Sequence, residues 1–111
     1  MKAPEPRDLF PGALEMMVLR LLKLQPLHGY ALVQRIRQVS DDLLQVEEGS
    51  LYPALQRLLL NGWVKAEWGT SENNRRARYY TLTAAGRQQL AAERKEFERI
   101  VLAIQNVLQF A

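Results

Sequence analysis

The chain has 111 residues, 48% of them apolar, with 15 Lys and Arg against 12 Asp and Glu for a net charge of +3, which suits one packed domain and excludes disorder of the whole chain. The absence of cysteine and the single histidine exclude disulfides, thiolate chemistry and a multi-histidine metal site. No apolar run approaches the roughly 18–20 residues of a membrane span, and the opening MKAPEPRD has no apolar signal core, so the cytoplasm is the expected compartment.

Residues 1–8, with prolines and charges, read as a loose N-terminal arm. Pro11 suits the first turn of a helix, where its missing N–H costs nothing. Leu14, Met17, Val18, Leu21 and Leu22 then follow the spacing of an amphipathic helix, which Pro26 ends. A second helix is expected from about Leu27-His28-Gly29-Tyr30, with Tyr30, Val33 and Ile36 on one side and Gln34, Arg35, Arg37 and Gln38 towards the other. His28 reads as holding the start of that helix. Ser40-Asp41-Asp42 breaks it, and Leu43 to Val46 is either a small strand or a turn packed on the core.

Helix three runs from Ser50 to Leu60, with Leu51, Leu55, Leu58 and Leu59 as its core stripe and Pro53 tolerated in its first turn. Asn61-Gly62 is a natural stop. Trp63 to Trp68 and Arg78 to Leu82 are rich in aromatic and β-branched residues, and the polar segment Gly69 to Ala77 joins them as the tip of an antiparallel hairpin. Thr83 is the expected N-cap of a last helix, Ala84 to Gln109, about 40 Å long at 1.5 Å per residue. Leu90, Arg94, Phe97, Val101, Ile104 and Leu108 repeat along it at spacings of four and three. One copy of so small a domain cannot cover that face, so a second copy is expected on Leu90, Phe97, Val101, Ile104 and Leu108.

Charge is unevenly spread. From Asn73 to Gln89 there are four arginines and no acid, a local basic patch on a near-neutral body, which suits a polyanion. A solvated loop would look the same on charge alone.

The order helix, helix, helix, hairpin, long helix resembles the PadR family of winged-helix transcriptional regulators. The matching stretches are LEMMVLRLL, LHGYALVQRI, EEGSLYPALQRLLLNGWV and ENNRRARYYTLTAAGRQQL, together covering nearly the whole chain from Leu9 to Leu108. The short C-terminal region is similar to the smaller branch of the family. The expected fold is therefore mainly α with a small β-hairpin wing: a winged helix-turn-helix over 9–82 and a long C-terminal dimerisation helix over 83–111. The resemblance implies a homodimeric repressor of double-stranded DNA, with helix three in the major groove, the wing on flanking backbone or minor groove, and a small hydrophobic or aromatic effector. Some relatives carry a tryptophan on the last helix as part of a drug pocket; the nearest aromatics here are Phe97 and Phe110.

Within that frame Tyr52 can set its phenolic OH on a phosphate, or else simply cover the core at its edge, and Ser50 can cap helix three or bond a phosphate. Gln56 and Arg57 are the side chains long enough to reach base edges, glutamine suiting adenine and arginine suiting guanine, although Arg57 could instead form a surface ion pair; Pro53 and Ala54 offer only apolar contact. Asn74, Arg75 and Arg76 stand near the wing tip, where arginine suits a narrow minor groove. Lys65 and Arg78, on the two wing strands, are further phosphate contacts, although Arg78 could instead face Glu67 across the hairpin. The competing expectation is a winged-helix module that docks on protein without binding DNA. No nucleophile–base pattern, metal cluster or glycine-rich phosphate loop supports an enzyme, and no cofactor is expected.

Overall fold

Four helices and three strands follow one another in the computed structural model, which describes residues 12–111. They are α1 (Ala13–Leu22), β1 (Leu27–His28), α2 (Gly29–Val39), α3 (Glu48–Leu60), β2 (Val64–Thr70), β3 (Arg76–Leu82) and α4 (Ala84–Leu108). The expected arm and the turn at Pro11 lie outside the described residues.

The core is built where the apolar stripes of the first three helices meet the base of the sheet. Leu14, Val18, Leu19 and Leu22 come from α1, Leu32 and Ile36 from α2, Leu51, Ala54, Leu55 and Leu58 from α3, and Val64, Tyr80 and Leu82 from the hairpin. Each fully buried leucine contributes about 2 kcal/mol. That matters for α3, because an isolated helix of 13 residues is marginal in water. The stripe of α1 is turned slightly from the expected one: Leu19 is fully buried, while Met17 and Leu21 are only half-buried.

Leu27-His28 does not begin the second helix. These residues pair antiparallel with Tyr80 and Tyr79, giving a three-stranded sheet in the order β1-β3-β2. Pro26 disfavours helix in the residue before it, and the free edge of β3 offers the extended chain its hydrogen bonds. The helix then starts at Gly29 under a cap from the strand's last residue, as His28 Nδ1 accepts from the Ala31 N–H at 3.1 Å. Tyr30 is exposed rather than core-facing, and Leu32 takes the buried position.

Between α2 and α3 the chain turns through Asp41 and Asp42, both left-handed at φ 51° and 65°, a conformation aspartate tolerates. Leu44 donates to Ser40 Oγ at 3.0 Å, and Val46 is buried. Leu43 to Val46 is thus a packed turn without a strand. Helix α3 starts two residues early, at Glu48, with Glu47 as its N-cap residue; both acids sit at the positive end of the helix dipole.

The end of α3 is a Schellman stop. Gly62 is left-handed at φ 73°, its N–H reaches the Leu59 carbonyl, and the Trp63 N–H reaches the Leu58 carbonyl, both at 3.0 Å. Thr83 ties the far end of the hairpin to that stop: Oγ1 donates to the Gly62 carbonyl at 2.7 Å and accepts from the Gly86 N–H at 3.0 Å. Helix α4 therefore leaves from a fixed point. Gly86 is buried against the Trp63 carbonyl, where a Cβ would stand 2.1 Å from the oxygen. Glycine here serves close approach, beyond the small helix penalty expected of it.

Along α4 the apolar stripe divides. Leu90 is buried in the chain's own core, so the expected intermolecular role does not hold for it: one turn after Gly86 the helix is still pressed against its own domain. Phe97 and Val101 are half-buried. Ile104 and Leu108 are exposed, as are Ile100 and Val107 beside them.

Candidate nucleic-acid interface

Helix α3 leaves one broad face open. Tyr52, Gln56, Pro53 and Arg57 are all exposed on it, spread by the 100° step of the helix so that Tyr52 and Arg57 stand at opposite borders. Gln56 follows Tyr52 by one turn. The Tyr52 border leans on α2: a Cβ on Gly29 would stand 2.8 Å from the Tyr52 Oη, so the HGY and LYP motifs are two halves of one contact.

The Arg57 border faces away from α2. Arg57 Nε donates to Glu15 Oε1 on α1 at 2.9 Å, and Nη2 reaches the same oxygen. In this structure the Arg57 guanidinium is held by a half-buried carboxylate on another helix, so reading a base edge requires that pair to open. Two further expectations on α3 change. Ser50 is 94% buried (6% relative exposure), lies inside the helix rather than at its cap, and its N–H is taken by the Glu47 carbonyl at 3.0 Å. It starts the core-facing side of the helix, with its backbone donor already occupied. Ala54 is fully buried and offers no apolar contact.

The wing is longer-stranded and tighter-tipped than expected. Its strands pair in register from Val64 with Leu82 out to Thr70 with Arg76, leaving only 71–75 as the tip. The Asn74 N–H donates to the Ser71 carbonyl at 2.9 Å and the Ser71 N–H to the Arg75 carbonyl at 2.7 Å. Asn74 takes the left-handed position at φ 57°, the geometry of a short hairpin with a bulge. Asn74 is thus a turn-former, whatever else it touches, and Arg75 is exposed beside it.

Register divides the wing residues between two faces. One carries Val64, Ala66, Trp68 and Thr70 opposite Leu82, Tyr80, Arg78 and Arg76. It is buried at the base of the hairpin and opens to solvent towards the tip. Lys65, Glu67, Gly69 and Tyr79 lie on the other. Lys65 is therefore on the opposite face from Arg76 and Arg78. Arg78 also does not meet Glu67, since its partner is Trp68 and Glu67 pairs with Tyr79. Arg76 stacks over Trp68 at 4.5 Å and Arg78 lies 5.9 Å from the Tyr80 ring centre. Among the described residues no carboxylate pairs with Arg75, Arg76 or Arg78. Tyr79 lies over Gly69, donates to the Thr70 carbonyl at 3.3 Å, and meets the His28 ring edge-on at 5.3 Å.

Between the wing, β1 and the start of α2 lies an open groove of about 1340 Å³. Its lining includes Tyr30, Gln34 and Arg35 of α2, Tyr52 of α3, and Trp68, Arg75, Arg76 and Arg78 of the wing. Four arginines and one carboxylate, Glu72, border it, so the groove is electropositive. Burial pushes the Tyr80 phenol above its usual range, partly opposed by Arg78 and reinforced by Tyr52, so the floor of the groove carries a neutral hydroxyl. Tyr30, Gln34, Arg35 and Trp68 were not among the residues expected here. Period-two counting from Val64 puts Trp68 on the arginine face, and exposure of Tyr30 follows once helix two is started at Gly29.

The face is an electropositive, aromatic-lined concavity beside an exposed helix, and the described residues hold no cluster of His, Cys, Asp or Glu fit for a metal. No described helix is long and apolar enough to cross a membrane. The chain shares 28% identity over 93 residues with "Uncharacterized protein X" of Lysinibacillus sphaericus, covering 84% of this chain and 85% of the relative. Among solved structures it resembles a transcriptional regulator from Clostridium thermocellum, at 30% identity and TM-score 0.81, over 89% of this chain and 96% of the other. It also resembles a PadR family transcriptional regulator from Eggerthella lenta, at 28% identity and TM-score 0.77, over 94% and 88%. The model of the transcriptional regulator PadR-like family matches residues 18–92, and the chain belongs to that family of DNA-binding regulators.

Proposed function

We propose that the chain is a homodimeric repressor that recognises a pseudo-palindromic operator, with 9–82 as the reader and the helix of 83–111 joining two copies. The observation that carries this reading is the electropositive groove in which Tyr52 of α3 and Arg75, Arg76 and Arg78 of the wing border one concavity with no described carboxylate bound to those arginines. Tyr52, Asn74, Arg75, Arg76 and Arg78 take the backbone contacts, Lys65 adds charge on the outer face, and Gln56 is the side chain on α3 best suited to a base edge. Two-fold symmetry of the protein then demands half-sites about one helical turn or a multiple of it apart. A small hydrophobic or aromatic effector that shifts α4 would change the separation of the two readers and release the DNA without touching either. Such a regulator works in the cytoplasm, at the nucleoid while bound.

The test is a salt titration with a footprint on the chain's own promoter. Affinity should fall linearly in log–log form with a slope near −0.9 per phosphate contact. The pair Arg75→Ala with Arg76→Ala should flatten that slope by roughly two units and weaken binding to every sequence. Unchanged slope and affinity in the double variant would remove the wing from the interface.

A further inference from the structure

An indole at 62% exposure on a strand needs a reason. Trp68 sits directly across from Arg78 and diagonally from Arg76, on the wing face that turns to the groove. The Arg76 guanidinium lies 4.5 Å from the centre of its ring. An arginine on a hairpin end would otherwise sample many rotamers, and ordering it at a phosphate costs on the order of 1 kcal/mol of side-chain entropy. Stacking on a flat ring removes much of that freedom in advance while leaving the N–H edge of the guanidinium pointing outward. The stack also spends no hydrogen-bond donor, which an ion pair would.

We propose that Trp68 is a positioning residue for DNA binding, whose indole face holds Arg76 on the groove side of the wing ready to meet a backbone phosphate. This rests on the DNA-binding reading of the groove and adds a residue to it. Trp68 acts through Arg76, and its effect is therefore independent of base sequence.

Sequence independence permits a test without the operator. The probe is a random-sequence 30-base-pair duplex, titrated by anisotropy against the full chain as wild type, Trp68→Ala, Trp68→Phe, Arg76→Ala and the Trp68→Ala/Arg76→Ala double variant. A cation–π contact at an exposed site is worth roughly a two- to fivefold change in affinity. Trp68→Ala should show a loss of that size, and Trp68→Phe should recover most of it. The double variant should bind no more weakly than Arg76→Ala alone, because the indole has nothing left to position. Equal losses for Trp68→Phe and Trp68→Ala, independent losses in the double variant, or wild-type affinity in Trp68→Ala would each overturn the proposal. A wild-type chain that binds no duplex with salt dependence would instead remove the groove reading itself.

Discussion

The phenol of Tyr52 occupies the space a side chain on Gly29 would need: a Cβ there would stand 2.8 Å from the oxygen and 3.2 Å from two ring carbons. This contact joins the start of α2 to the first turns of α3, two of the elements that line the groove. It also separates two effects that usually travel together. Tyr52 is 48% exposed, so its ring can swing outward without disturbing the core. Alanine in place of glycine gains up to about 1 kcal/mol of helix propensity.

Gly29→Ala should therefore keep or slightly raise the thermal midpoint while weakening duplex binding roughly two- to tenfold, the size of one hydrogen bond. Melting curves and anisotropy on the same preparation check it. A variant that binds as well as wild type would show that the position of Tyr52 does not matter to DNA.

Arg57 gives the opposite contrast. Its side chain is 57% exposed and its partner Glu15 is mostly covered, and a pair of this kind contributes no more than about 1 kcal/mol. Arg57→Ala should cost about that or less in urea denaturation and leave the salt slope of duplex binding unchanged. A slope loss of about one unit would show that the pair opens when DNA arrives.

The partner of Arg57 and the elements of the fold differ in the range of the signals that set them. Helix α3, its stop at Asn61-Gly62, the hairpin and the Thr83 cap all follow from residues within a few positions of one another. Apolar period, left-handed glycine and capping oxygen are local signals. The Glu15–Arg57 pair spans 42 positions and leaves no trace in the spacing of either helix. Leu90 is a similar case: its place in the stripe is legible, but whether its own domain or a second copy covers it depends on the approach that Gly86 permits. β1 leaves no signal in the sequence, because two residues carry no period at all. Alternation from Val64 places Trp68 on the arginine face, but how far along the hairpin that face stays covered is not a local signal.

Gly86→Ala is expected to be costly. The added Cβ would meet the Trp63 carbonyl oxygen at 2.1 Å and Leu82 Cδ1 at 2.7 Å. The carbonyl cannot retreat without losing its bond from the Thr83 N–H, 3.1 Å. Overpacking of this kind costs about 3 kcal/mol, measurable as a lower urea midpoint at unchanged m-value. Ala85→Gly, at an exposed neighbour, is the control and should cost no more than about 1 kcal/mol.

Tyr80 predicts the alkaline limit of stability. Burial holds its phenol above 10.0, its ordinary value, in the folded chain. The unfolded chain therefore releases this proton first as pH rises, so the stability present below about pH 10 is lost progressively from there through the folded value. Tyr80→Phe should lower the steepness of that alkaline limb in denaturation measured from pH 8 to 11. An identical limb in both proteins would place the titrating group elsewhere.

The exposed half of α4 supplies the last prediction. Ile100, Ile104, Val107 and Leu108 stand 43%, 45%, 74% and 78% exposed on one side of a 25-residue helix, an apolar stripe that a monomer would leave in water. Among the described residues Ile104 belongs to no buried cluster, so Ile104→Lys should leave helicity and melting of the reader intact. In a two-copy seam, each protomer would bring one unpaired charge into an apolar contact, at a cost of about 3 kcal/mol or more, which raises the dimer dissociation constant at least about 100-fold. Sedimentation at micromolar concentration should then find monomer, and operator binding should fall with it, because two half-sites must be held by one molecule to be bound together. Wild-type chain that sediments as a monomer at the same concentration would leave the stripe unexplained and the two-copy reader without support.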